Sequence, residues 1–415
     1  MNFKFDEIYE LSKKYGQEHL FAFYDELNNE EQINLLKQVA SIDYELINNL
    51  YKLAKIELKN EHDLIEPIKS VEALNFTENE IKAFNKAGIN LFSQSQVAVI
   101  TMAGGQGTRL GHDGPKGTFN IGLTSNKSLF EIQCDKLKDM NKLTGSIIPW
   151  YIMTSEENNS ATIKFFRENN YFNYEIDEIF FFKQGMLPML NTSGEIILSH
   201  KDKVAEGADG NGGLFLSLKK SGALENMIAK GIRWLSICGI DNALVNMTDP
   251  AFLGYTINSG KNVAAKSSAK IHPDEKVGVF CKRNGHPGVV EYSEISKEMS
   301  NACDELGRFI FNDVNIVVYL FNLDLISKIS DKGMPYHTAF KKSNYINENG
   351  NLIISEEPNS YKFETFLFDS FSYIEDMIVY RVNREDEFAP VKNKCGSDSP
   401  ETARKMYLKF MEAKR

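Results

Sequence analysis

The segment NNEEQINLLKQVASI spaces Ile33, Leu36, Val39 and Ala40 as on one face of an α-helix. Asn28 or Asn29 stands where an N-cap belongs. Glu30 and Glu31 follow in the first turn, where carboxylates complement the helix dipole. Residues 76–92 repeat the style, with Thr77 ahead of Glu78, Glu80 and Ile81. Residues 1–95 are therefore expected to form an N-terminal helical domain that packs on the rest of the chain.

The pattern changes at Gln96. QVAVITM is a short, largely β-branched apolar run that ends in glycines, as does a buried parallel strand entering a tight turn. Residues 147–153, 179–182, 234–240, 262–266 and 377–382 read as further strands, with helices at 128–140 and 217–230. This alternation predicts an α/β fold with a mixed, mostly parallel sheet flanked by helices. Hairpins are expected around 191–194 and 284–288. YKFETFLFDSFSYIEDM reads as a helix that buries Phe363, Phe366, Phe371 and Ile374.

Charge narrows the partners. Asp and Glu number 57 against 47 Lys and Arg, a net charge of −10 in 415 residues. That disfavours nucleic acid and membrane surfaces, though a local basic pocket for a small anion fits within it. Cys134, Cys238, Cys281, Cys303 and Cys395 lie far apart without a C-x-x-C pair, so neither a zinc ribbon nor a disulfide framework is expected. MNFKFDEIYE has no basic stretch followed by an apolar run, and no apolar stretch reaches about 18 residues. A reduced, cytoplasmic protein without a membrane partner is the expectation.

The most informative segment is TMAGGQGTRLGHDGPKG, residues 101–117, directly after a strand candidate. Its glycines permit close approach of a ligand to backbone N–H groups, and Arg109 and Lys116 add two cations. Phosphates need this pairing of exposed donors and fixed positive charge. Two commoner motifs fail. A dinucleotide fingerprint aligned on Gly105 and Gly107 needs a small residue where Leu110 stands, and a P-loop needs Gly-Lys-Ser/Thr where the chain has Pro115, Lys116 and Gly117.

The loop resembles the signature of the UDP-sugar pyrophosphorylases, in the variant of the N-acetylhexosamine branch. The resemblance continues in order through KQGMLPML, ADGNGGLF, CGIDNALV, VGVFCKR with VVEYSEIS, FNDVNI, and REDEFAPVKN with PETARK. It implies a Rossmann-like, GT-A-like nucleotidyltransferase domain at 96–415. It also implies that UTP and N-acetylglucosamine 1-phosphate give UDP-N-acetylglucosamine and pyrophosphate, with Mg²⁺, or Mn²⁺ in its place. FNDVNI departs by carrying Asp313 and Val314 where the family usually has small residues. The chain ends soon after PETARK, so the further C-terminal domain of eukaryotic relatives is not expected.

Carried over residue by residue, the resemblance implies Gly104 and Gly105 as backbone contacts to the nucleotide. Arg109 falls on the β- and γ-phosphates of UTP and Lys116 on the α-phosphate. Gln184 offers a donor and an acceptor to the uracil edge. Gly210 would approach the base, and Asn211 the sugar or acetamido group. Asp241, at a strand's carboxyl end, suits a magnesium ion that bridges phosphates. Gly278, Glu291, Tyr292 and Asn315 match sugar-binding positions, and Lys392 matches a late lysine that reaches the phosphates. Within the family, UDP-glucose, UDP-galactose and UDP-N-acetylgalactosamine are the alternative products. A glycosyltransferase is disfavoured because the strand ends in Asp241-Asn242-Ala243 and not in Asp-x-Asp. A silent nucleotide-sugar sensor is disfavoured because the cations are all kept.

Overall fold

The structure, a computed structural model, describes residues 4–55 and 63–414. The parts of the expected helical domain at 1–3 and 56–62 lie outside the described residues. The chain forms two compact units. One gathers the described residues among Met1–His62, Gly185–Gly213 and Met334–Phe366. The other gathers Asp63–Gln184, Leu214–Gly333 and Leu367–Arg415.

In the first unit, helices Phe5–Lys14, Asn29–Ala40 and Tyr44–Lys55 are accompanied by a three-stranded antiparallel sheet of His337–Lys341, Ser360–Glu364 and Leu190–Asn191. Asn28 caps its helix as the sequence predicts. Its Oδ1 accepts from the N–H of Glu30 and Glu31 at 3.0 and 3.1 Å, while Glu31 reaches back to the Asn28 N–H at 2.9 Å. Leu35, Leu36 and Val39 are buried with Leu20, Leu50, Ile196 and Phe363; Ile33 faces outward. The turn at Asn191 closes through Asn191 N–H on the Glu195 carbonyl at 2.9 Å, realising the expected hairpin.

The second unit holds a large mixed sheet. Its order is Ser70–Glu72, Ile378–Val382, Val263–Ala269, Asp313–Asn322, Trp234–Gly239, Val97–Met102, Trp150–Thr154, Ile179–Lys183. Only Asp313–Asn322 runs against its neighbours along this path. Val97–Met102 is buried along its whole length, which is why it reads as a continuous apolar run. Val279–Arg283 and His286–Val290 form the second expected hairpin around Asn284 and Gly285, both at positive φ. Ile65–Pro67 pairs onto it.

The residue-95 boundary does not coincide with these units. Helix Glu78–Ser93 packs against Pro250–Asn258 so closely that a Cβ on Gly88 would run into the Pro250 backbone, and one on Gly254 into the Phe84 carbonyl. The single helix expected at 217–230 is two, Leu214–Lys220 and Ala223–Ala229, parted by Gly222 at φ +77°. The helix expected at 361–377 is corrected. Ser360–Glu364 is a strand and Leu367–Tyr373 a 3₁₀ segment, with Phe363 in the core of the first unit and Phe371 buried in the second. The aromatic spacing imitates one helix face because the chain passes from one unit to the other at Phe366. No helix among the described residues is long and apolar enough to cross a membrane.

Candidate active site

The glycine-rich loop leaves the carboxyl end of Val97–Met102, and Ala103 N–H still donates to the Met153 carbonyl at 2.7 Å. The loop then folds back on itself. Gly107 N–H donates to the Gly114 carbonyl at 2.8 Å and Lys116 N–H to the Gly105 carbonyl at 3.1 Å. Thr108–Leu110 forms one 3₁₀ turn that Gly111 ends at φ +72°. A Cβ at Gly117 would collide with the Phe130 ring, so glycine is what lets the Pro-Lys-Gly turn settle onto the core.

Buried polar groups hold this loop from beneath. Asn158 donates from Nδ2 to the carbonyls of Ala103 at 2.9 Å and Gly105 at 3.3 Å, and its Oδ1 accepts from Ser155 N–H at 2.8 Å. Trp150 Nε1 donates to Thr101 Oγ1 at 2.9 Å, which donates to Gln133 Oε1 at 2.8 Å; Gln133 Nε2 donates to the Gly239 carbonyl at 3.0 Å. The chain ties the carboxyl ends of Val97–Met102 and Trp234–Gly239 to the first residue of Trp150–Thr154 through Gln133 of helix Leu129–Thr144. A buried network with its groups satisfied rigidifies what it supports.

Asp241 follows Trp234–Gly239, the strand next to Val97–Met102, in a register that pairs Gly239 with Met102. Loop and carboxylate therefore emerge side by side at the carboxyl edge of the sheet, the edge at which open α/β sheets bind ligands. Lys116 Nζ lies 3.4 Å from Asp241 Oδ2, with the lysine side chain 17% and the aspartate 34% exposed. Asn242 staples this point to the later chain. Its Nδ2 donates to the Glu387 carbonyl at 2.7 Å, its Oδ1 accepts from Ala389 N–H at 2.9 Å, and Val391 N–H donates to the Asp241 carbonyl at 2.7 Å. Lys392 comes next in the chain, its Nζ 4.0 Å from Asp398. Behind the staple, fully buried Lys266 sits between Asp249 and Glu387, 2.7 Å from each.

Gln184 N–H donates to the Thr154 carbonyl at 2.8 Å, and its amide lies over Gly104, where a Cβ would stand 2.7 Å from Oε1. Gly105 has nothing within 4 Å of its Cβ position. Arg109 is exposed and makes no hydrogen bond or ion pair among the described residues.

A second cluster forms around Asn315. Its N–H donates to the Gly278 carbonyl at 2.9 Å, and its side chain meets the buried Tyr319 hydroxyl at 2.9 Å. A Cβ on Gly278 would stand 2.8 Å from Glu291 Oε1. Gly278, Glu291 and Asn315 are thus together, while Tyr292 is exposed beside them. Between Asn315 and Tyr319 the strand bulges, and Val317 takes φ +58°, a strained value for a β-branched residue. Val317 also borders Gly239, 3.8 Å from its Cβ position, which links this cluster to the Asp241 strand end. Asp313 is engaged in the scaffold, accepting from Arg381 at 2.8 and 2.7 Å and from Ser267 at 2.7 Å. Gly210 and Asn211 belong to the first unit. Gly210, at φ +85°, lies so close to the Thr365 carbonyl that a Cβ would collide with it.

The second unit therefore brings together Gly104, Gly105, Lys116, Asp241 and Gln184, with Lys392 delivered by the Asn242 staple. Asn158, Gln133 and Asn242 support the site without showing in the sequence, because an isolated buried amide leaves no periodic trace. No group of three or more potential side-chain ligands for a metal occurs among the described residues. A lone, partly exposed Asp241 beside the glycine loop still fits magnesium, which takes most of its oxygens from phosphates and water. Burial pushes the Cys134 and Cys238 thiols up to about 12, so neither is a thiolate nucleophile at neutral pH.

Residues 44–398 match the protein family described as UTP–glucose-1-phosphate uridylyltransferase. The chain is 38% identical over 419 residues to UDP-N-acetylglucosamine pyrophosphorylase of Saccharomyces cerevisiae, spanning 95% of this chain and 88% of the relative. It is 35% identical over 414 residues to UDP-N-acetylhexosamine pyrophosphorylase-like protein 1 of Mus musculus, spanning 95% and 82%. The crystal structure of the uridine diphosphate N-acetylglucosamine pyrophosphorylase from Trypanosoma brucei in complex with an inhibitor is similar with a TM-score of 0.83. It is 30% identical, with 97% of this chain and 84% of that one covered.

Proposed function

The chain belongs to the UTP–glucose-1-phosphate uridylyltransferase family of UDP-sugar pyrophosphorylases, and from that premise we propose that it makes UDP-N-acetylglucosamine and pyrophosphate from UTP and N-acetylglucosamine 1-phosphate, reversibly. The observation that carries the reading is the Lys116–Asp241 contact of 3.4 Å beside the glycine loop. It supports the reading because a cation and a carboxylate set side by side are what a triphosphate and its counter-ion would need.

In this reading a sugar-phosphate oxygen attacks the α-phosphorus of UTP in line. The new P–O bond forms as the bond to the bridging oxygen breaks, and pyrophosphate leaves with that electron pair. The phosphomonoester's second pKa is about 6, so the nucleophile needs no general base. The work is positioning and charge stabilisation. Lys116 takes the α-phosphate and exchanges Asp241 for it. Arg109 and Lys392 take the β- and γ-phosphates. Gln184 reads uracil, with the backbone of Gly104 and Gly105 close to the nucleotide. Glu291, Asn315 and Gly278 hold the sugar, with Tyr292 at its rim. Asp241 is the residue that would hold Mg²⁺, or Mn²⁺ in its place, which supplies charge neutralisation between phosphates.

The test is pyrophosphate release from UTP with a panel of sugar 1-phosphates. N-acetylglucosamine 1-phosphate is expected to give the highest kcat/KM. Preference for N-acetylgalactosamine 1-phosphate or for glucose 1-phosphate would move the chain to another UDP-hexose, and release with none of them would remove the activity.

A further inference from the structure

We propose that Lys394, outside every motif of the glycine loop, is a further cation for the pyrophosphate end of the substrates. The proposal rests on reading that loop as the triphosphate site. Lys394 lies two residues beyond Lys392, in a turn closed by Lys392 and Asn393 N–H groups on the Asp398 carbonyl at 2.7 and 3.0 Å. Asn393 Nδ2 adds a bond to the Ser397 carbonyl at 2.9 Å. The turn projects the lysine back onto the glycine loop. A Cβ built on Gly111 would stand 3.5 Å from both Cε and Nζ of Lys394, so the ammonium rests against the left-handed residue next but one to Arg109.

The charges around it leave it available. Lys116 faces Asp241 and Lys392 approaches Asp398. Arg109 and Lys394 are both exposed and have no ion pair or hydrogen bond among the described residues. Two unpaired cations on adjoining turns make a site for a multiply charged anion. The β- and γ-phosphates are that anion, and negative charge grows on them as the bond from the α-phosphorus to the bridging oxygen breaks. The ammonium is a flexible point charge, so it follows pyrophosphate outward and contributes most to the end of the substrate that leaves.

The test uses the full chain with Lys394→Ala, Lys394→Arg and, as a charge control, Lys328→Ala on the exposed face of helix Leu323–Ile329. Pyrophosphorolysis of UDP-N-acetylglucosamine gives KM for pyrophosphate and for the nucleotide sugar; calorimetry gives the affinity for inorganic pyrophosphate alone. Lys394→Ala is expected to weaken pyrophosphate by about tenfold in both, less than the roughly 100-fold of a preorganised donor because the ammonium is solvated. KM for the nucleotide sugar should stay unchanged, Lys394→Arg should restore pyrophosphate, and Lys328→Ala should match wild type. An unchanged pyrophosphate affinity, or an equal rise in both KM values, overturns the proposal. Absence of turnover in the wild type would count against the proposed activity, and the calorimetric comparison would still decide the role of Lys394.

Discussion

Gly105→Ala separates what the loop needs for folding from what it needs for a ligand. The Gly105 carbonyl is held by Lys116 N–H at 3.1 Å and Asn158 Nδ2 at 3.3 Å, and its φ lies outside the left-handed region. A methyl there meets nothing within 4 Å, so the folded chain loses no contact. The substitution instead removes conformational freedom from the unfolded chain, a gain of about 0.4–1 kcal/mol. Thermal unfolding should therefore be unchanged or rise by roughly 1–4 °C.

Binding should move the other way. If the nucleotide lies on the Gly105 backbone, the added methyl occupies its space, and overpacking of that kind costs about 1–3 kcal/mol. That is a roughly 5- to 150-fold loss in affinity. The assay pairs a melting curve with KM for UTP and calorimetric binding of UDP. A variant that melts like wild type and binds both nucleotides like wild type would show that the space over Gly105 is not the nucleotide's, and the loop assignment would fall.

Gly104→Ala should act differently, because its Cβ first meets the movable Gln184 amide, 2.7 Å from Oε1; it should narrow the preference for UTP over CTP, measured as a ratio of kcat/KM values. Arg109→Ala and Lys116→Ala should each lower kcat/KM by about 100-fold or more with unchanged circular dichroism, and wild-type turnover in both would disprove a catalytic loop. Asn158→Ala leaves the Ala103 and Gly105 carbonyls short of a buried donor, so urea unfolding should show a loss of about 1–3 kcal/mol, accompanied by a higher KM for UTP. Burial drives the Lys136 ammonium down to about 7, its Nζ on the Val245 carbonyl at 2.5 Å, so the unfolded chain binds the extra proton between that value and about 10.4. The folded state is penalised increasingly as pH falls through that range, and Lys136→Met should gain most stability over wild type near about pH 6.5 and least near about pH 9.5; a gap independent of pH would refute the buried-charge account.

Much of the fold was legible because its elements carry local signals. Val97–Met102 is apolar but for Thr101 since both faces are covered, and Asn28 and Thr77 announce their helices with complete capping boxes. Failures came where tertiary pairing overrode local pattern. Ile65–Pro67 and Ser70–Glu72 are too short to mark themselves and exist because Val279–Arg283 and Ile378–Val382 offer paired edges. Phe363, Phe366 and Phe371 keep a helical spacing that no helix uses, because the chain changes unit between them.

The candidate site divides along a similar line. Glycines, Arg109 and Lys116 stand out because their chemistry is crowded into one segment. Lys116 and Asp241 are 125 residues apart, and only the parallel pairing of Val97–Met102 with Trp234–Gly239 puts them 3.4 Å from each other. Sequence alone could name both residues but could not join them without a family pattern. The supporting residues carry no such mark. Asn158, Gln133, Thr101 and Asn242 each look like an ordinary polar residue, and each matters through a backbone carbonyl or a partner contributed by a distant strand. Lys394 inverts that relation. It is an exposed lysine of the commonest kind, and it is set apart by having no carboxylate while Lys116 and Lys392 do. A motif therefore reveals the cations that share one segment with the glycines, whereas a lysine on a neighbouring turn becomes visible only once the turn is placed against Gly111.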